Sequence, residues 1–217
     1  MSTTYLNIVN EVLRRLREDE VTSVAQNTYS KMVGDFVNDA KRIVEDSHQW
    51  STLRTTIVVT TEADTVDYAL TNAGERVRIY SAINDTSNFF MRYESPNWFN
   101  NAYYISGEVT GSPDSYTFNG VNTNGDTKVK VYPKPSGVFS LRFDLIAREA
   151  ELSGDTDTTV LPKNAIVHNA VALLARERGE TGGTTAQDYF LIADKHLSDA
   201  IALDAYKNPE EFIWTTP

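Results

Sequence analysis

The sequence predicts an α+β fold, in which N- and C-terminal helices form a discontinuous helical bundle with an antiparallel β domain inserted between its halves. Three observations predict it. Apolar residues recur at helical spacing up to about His48. From Thr55 to Ala147 the pattern changes to β-branched runs and strict alternation. After Pro162 the helical period returns. Two isolated helical pairs could not each cover their apolar stripes, so the first and last pairs are expected to pack together. The expected divisions are a first bundle half over 1–50, a β-rich insert over 51–150, a second bundle half over 151–208 and a C-terminal segment over 209–217.

Thr3 or Thr4 can cap the first helix, because a side-chain hydroxyl satisfies a backbone N–H left unpaired at a helix start. Leu6, Val9, Leu13 and Leu16 then share one face, with Arg14, Arg15, Arg17 and Glu18 largely elsewhere. The second helix is expected from about Gln26 to His48, with a buried stripe of Tyr29, Val33, Phe36, Ala40 and Ile43 and with Val37 and Val44 beside it. Thr55 to Thr61 is β-branched almost throughout and suits a pleated surface. Further strands are expected at Val77–Ile83, Phe89–Tyr93 and Tyr116–Asn119. Asn124-Gly125-Asp126 marks a turn into the alternating Lys128–Tyr132. Phe139, Leu141, Phe143 and Leu145 alternate with polar residues, so that strand has one buried face. Glu151 to Thr159 reads as a polar connector. Ile166, Ala170, Leu173 and Leu174 line the buried side of a third helix that Gly179 ends. A fourth, carrying Tyr189, Phe190, Ala193, Leu197, Ala200 and Ile201, runs to about Lys207 before Pro209 stops it.

Composition narrows the function classes. The chain has no cysteine, which removes disulfides, thiolate metal sites and cysteine nucleophiles and fits a reducing compartment. Thirty acidic residues against 20 basic ones give a net charge of -10, which opposes sequence-independent DNA binding. No apolar run approaches the roughly 20 residues of a membrane span, and the N-terminus lacks the apolar stretch of a signal peptide. The expectation is a soluble intracellular protein that binds other proteins, without catalytic residues, cofactor or metal.

The residues that could carry chemistry agree with that expectation. Gly182-Gly183 lies between two helices and no Walker-type lysine comes after it. His48, His168 and His196 are the only histidines, and none has a second histidine one turn away. His168 and His196 approach each other if the last two helices are antiparallel. Asp155 and Asp157 are spaced like the start of a calcium loop, but the turn glycine and late glutamate are absent. No G-x-S-x-G elbow is present. Asn84-Asp85-Thr86 matches a glycosylation acceptor that a cytoplasmic chain would not use.

Two segments read as contact surfaces. In Tyr93–Tyr104, Trp98, Phe99, Tyr103 and Tyr104 are interleaved with asparagines, a combination that suits protein recognition, stacking on a carbohydrate, or folding over the sheet's own edge. The second is Pro209–Pro217, whose Phe212, Ile213 and Trp214 either fold back on the bundle or dock into a partner.

Several stretches together resemble the head-to-tail adaptor proteins of tailed phages, including the tail tubular proteins of short-tailed phages. They are Asn38-Asp39-Ala40-Lys41-Arg42-Ile43-Val44 leading through His48-Gln49-Trp50 into Thr55–Thr61, then Gly111-Ser112-Pro113 before Tyr116-Thr117-Phe118. Val131-Tyr132-Pro133-Lys134-Pro135, Phe139–Phe143 and the helix-opening Leu161-Pro162 complete the set. The resemblance implies a structural virion protein of the tail, assembled in the host cytoplasm. It implies a ring, expected to be dodecameric, that joins the portal protein to a tail nozzle or other tail protein around a DNA channel. Phe212 to Trp214 and the amphipathic helices are then candidates for portal contact, and the β domain would face the tail. The competing reading is a carbohydrate-binding or carbohydrate-processing module centred on Trp98, Tyr103 and Tyr104.

Overall fold

The computed structural model describes residues 3–179 and 186–207. From the N-terminus, β1 (Thr3–Thr4), α1 (Tyr5–Arg15) and α2 (Thr28–Ser47) are followed by a 3-10 turn at Ser51–Leu53. Strands β2 (Arg54–Thr60), β3 (Asp67–Ala69), β4 (Arg78–Asn84), β5 (Phe89–Phe90) and β6 (Arg92–Tyr93) come next. A short helix α3 (Pro96–Asn100) continues as one π turn, Asn101–Ile105. Then come β7 (Thr110–Gly111), β8 (Ser115–Val121), β9 (Thr127–Tyr132), β10 (Lys134–Pro135), β11 (Ser140–Ile146) and β12 (Thr158–Thr159), and the long helices α4 (Lys163–Glu177) and α5 (Ala186–Ala205). The fold is α+β, with helices toward both ends and strands between them. It forms two compact units, one of residues up to Thr52 with those from Glu149 onward, the other of Leu53–Arg148.

In the helical unit α4 is central and packs against α1, α2 and α5. Its Ile166, Val167, Ala170, Val171 and Leu174 are buried around most of its circumference, so the one-sided stripe expected from sequence is too narrow. The N-cap of α1 is Thr4, whose side chain accepts from the Asn7 N–H. The buried face of α1 is Tyr5, Ile8, Val9, Val12 and Leu13, whereas Leu6 and Leu16 are only half-buried. In α2 the buried residues include Ser30, Val33, Gly34, Val37, Ala40, Lys41, Val44 and Glu45, while Ile43 is 43% exposed. The expected stripe is therefore rotated toward the side that carries the Lys41–Glu45 pair. Asn27 and Ser30 form a reciprocal capping box at the start of α2.

The connector that begins at Glu149 is ordered by side chains from α2. Asn38 Oδ1 accepts from the Leu152 N–H at 3.0 Å, and its Nδ2 donates to the Leu152 carbonyl at 2.9 Å. Lys41, 3% exposed, donates to Glu45 and to the Glu149 and Ala150 carbonyls. Glu149 accepts from the Thr159 hydroxyl and the Val160 N–H. Asp155, read from sequence as part of a polar linker, accepts from the Val24 N–H across 131 residues of chain. β12 pairs antiparallel with β1, which ties the connector to the N-terminus.

The second unit is a sandwich of two four-stranded sheets, ordered β2-β11-β4-β5 and β3-β9-β8-β6. Their facing residues, among them Tyr68, Leu70, Tyr116, Val129, Val131, Leu141, Phe143 and Leu145, form one core. Pairing is mostly antiparallel, but β6 with β8 and β7 with β10 are short parallel pairs. Phe89–Tyr93, expected as one strand, is divided at Met91. Its first part pairs with β4 in one sheet and its second with β8 in the other. The expected turn at Asn124-Gly125-Asp126 is present, with Gly125 at φ 85°.

Candidate contact surfaces

The aromatic segment after β6 is helical. Ser95 caps it by accepting from the Trp98 N–H, and Pro96 occupies the first turn, where no N–H is needed. The helix presents its aromatics to β9. Trp98, Phe99 and Tyr103 surround Tyr132, with ring centroids 5.1, 6.3 and 5.3 Å away and the rings near perpendicular. Phe99 is 2% exposed and Tyr103 7%. The Tyr103 hydroxyl donates to the Val131 carbonyl, and burial pushes its pKa well above the ordinary phenol value. Both rings, expected from sequence among the contact residues, are enclosed here by their own sheet. Trp98 remains 38% exposed and Tyr104 75%, beside Ile105 at 80%. Lys130 lies 5.5 Å over the Tyr104 ring and 4.8 Å over the Tyr103 ring. The outward surface is thus aromatic and aliphatic, with the Lys130 ammonium against the Tyr104 ring. Of the three residues named for a carbohydrate, Trp98 and Tyr104 reach the surface and Tyr103 is buried.

In the helical unit, the outward side of α5 carries Leu191, Ile192 and Leu203, with Tyr206 just beyond its end, all exposed. Near that end, Trp50, Val160, Ala200 and Leu203 border a pocket of about 220 Å³. Trp50 is fixed by an indole N–H donated to the Val44 carbonyl at 2.7 Å. Asp204 accepts from both the backbone N–H and the hydroxyl of Ser51. Burial alone would raise the Asp204 pKa, but those bonds and Lys207 outweigh it and hold it low. Phe212, Ile213 and Trp214, the other sequence-predicted contact residues, lie outside the described residues.

The candidate chemical groups have structural uses. His168 and His196 stack at 4.0 Å with planes 14° apart. Parallel rings direct their lone pairs in parallel planes rather than at one ion. Among the described residues no group of three or more His, Asp or Glu is arranged to hold a metal. Asp157 is occupied by the Ser153 and Gly154 N–H groups, which lower its pKa. Asn84, the apparent glycosylation acceptor, is fully buried and donates to Ser112 and to the Pro113 carbonyl. No helix among the described residues is long and apolar enough to cross a membrane.

A family model described as SU10 adaptor protein matches residues 3–210. A comparison with curated proteins finds no match.

Proposed function

Because the chain belongs to the SU10 adaptor protein family, we propose that it is a phage structural protein that joins the portal to the tail as a ring of twelve copies around a DNA channel. The observation that carries this reading is the family match over nearly the whole chain, which takes in both compact units. Adaptors work by displaying surfaces. The outward face of α5 and the segment Phe212–Trp214 are assigned to the portal, and Trp98 and Tyr104 to a tail component. A net charge of -10 supports a channel past which DNA slides without adhering.

The test is to mix the purified protein with the portal ring of the same phage, then measure mass by light scattering and symmetry by electron microscopy. A twelve-copy cap on the portal is the expected result. Failure of two folded partners to associate would overturn the adaptor assignment.

A further inference from the structure

β2 leaves one side of its sheet open. It stands first in the order β2-β11-β4-β5, and among the described residues no strand pairs with its other side. The Thr61 N–H donates to the Phe139 carbonyl at 2.9 Å, and the Ala147 N–H to the Leu53 carbonyl at 3.2 Å. Both bonds continue the register that sets Thr60 opposite Ser140 and Arg54 opposite Ile146. An antiparallel ladder alternates, so the odd-numbered residues of β2 bond to β11, and the N–H and carbonyl groups of Arg54, Thr56, Val58 and Thr60 point to the open side. All four residues are exposed. The Asp85 N–H, which donates to the Ser140 carbonyl at 2.8 Å, agrees, because it commits the even-numbered residues of β11 to β4.

An open edge is a template for another strand, and folded proteins guard it with short length, proline, a bulge or inward-pointing charge. β2 has seven residues, no proline and an unbroken register with β11, and its one charged residue, Arg54, stands at its start. The other outer strands, β5, β3 and β6, have two or three residues each. The core is also unfinished along this edge. Leu141 and Phe143 are 0% exposed, whereas Val59 and Ile57 opposite them are only half-buried. A strand with apolar residues at alternate positions would cover their outer flanks. A second copy of the chain fits less well. Two β2 edges can pair only about a two-fold axis, which closes a dimer, whereas neighbours in a ring meet head to tail and would need a second long edge. That choice of occupant rests on the adaptor reading.

We propose that β2 receives an extended segment of a partner protein as a fifth strand of its sheet, bonded through Thr56, Val58 and Thr60 and apolar at the positions beside Ile57 and Val59. Main-chain bonds supply the affinity, and the half-buried flank of the core selects the alternation.

The probe is a synthetic peptide copying Ser140–Arg148, which has the required alternation and already lies along the other side of β2. Added to the full-length chain, it should slow exchange of the Thr56, Val58 and Thr60 amides, read by NMR. With its apolar residues turned inward, the peptide nitrogens of Arg142 and Asp144 face β2, and methylating them should weaken binding about tenfold or more. Methylating those of Leu141 and Phe143, which face away, should change it little. Val58→Pro should abolish binding and leave the unfolding midpoint nearly unchanged, because it removes an N–H that the sheet does not use. If that variant does not fold, the methylated peptides still decide. No binding, binding indifferent to which nitrogens are methylated, or amides of Thr56, Val58 and Thr60 already protected in the free monomer would each overturn the proposal. Protection that grows with chain concentration alone would give the edge to a second copy and overturn it as well. A chain that takes the peptide but not the portal sinks the adaptor reading and leaves the strand site standing; one that takes the portal but not the peptide does the reverse.

Discussion

Single residues in this protein show how polar groups are kept where the pattern asks for apolar ones. Lys41 is buried on the face that α2 turns inward, and its charge is matched by Glu45, Glu149 and two carbonyls. Removing one member would leave the others charged and buried, which typically costs about 3–5 kcal/mol. The exposed Arg14–Glu20 pair, by contrast, is worth about 1 kcal/mol or less. His168 makes a pH prediction. Burial first, then the nearby Arg15 and His196, lower its pKa to about 4 against the opposing effect of Glu11. The unfolded chain therefore takes up the proton first. The stability held above about pH 6.5 should decline as pH falls toward 4. Denaturant midpoints at about pH 7 and pH 5 should differ less in His168→Gln than in the parent. An equal pH loss in the two would show that His168 does not govern it.

At the scale of elements, the sequence revealed type and order better than it revealed which face is buried. In α1, residues 5, 6, 8, 9, 12, 13 and 16 are all large and apolar or aromatic, so more than one stripe fits. The helix buries the side that includes Tyr5, Ile8 and Val12, a choice made by packing rather than by periodicity. In α2 a buried ion pair stood where the eye seeks hydrophobes. The division at Met91 was hidden because two short strands of different sheets are contiguous in sequence. α3 had a legible signal in Ser95-Pro96, a cap followed by a first-turn proline, but the aromatics around it read as an irregular contact loop. Gly34 shows a constraint that composition cannot convey. A Cβ there would collide with the Tyr5 hydroxyl and meet Val24 at 2.9 Å, so α1, α2 and their connection close on a missing side chain. Gly→Ala in an open helix interior is normally stabilising by about 1 kcal/mol. Gly34→Ala should instead destabilise by about 1–3 kcal/mol through overpacking, measured by thermal or urea unfolding. A more stable variant would mean that Tyr5 moves aside freely.

Across the whole molecule, the α+β class was legible because the change of period near Trp50 and its reversal at Pro162 are abrupt. Much of the sequence resemblance is carried by residues that hold the fold: Asn38 clamps Leu152, Lys41 binds the connector, and Trp50 anchors below α2. The contact surfaces were less legible, since burial separates Phe99 and Tyr103 from Trp98 and Tyr104 although all four share one composition. The β unit has its own core, and its ends meet where Ala147 donates to the Leu53 carbonyl at 3.2 Å. Residues 53–148 expressed alone should therefore fold cooperatively, with dispersed amide resonances and a single unfolding transition. A molten or aggregated fragment would show that the bundle is needed to complete it.

That meeting of ends has a mechanical consequence. Leu53 leads into β2 and Ala147 comes just after β11, and these strands run antiparallel in register from Arg54 opposite Ile146 to Thr60 opposite Ser140. A tension applied between the two units enters both strands at the same end. The pull is divided between two covalent tethers side by side.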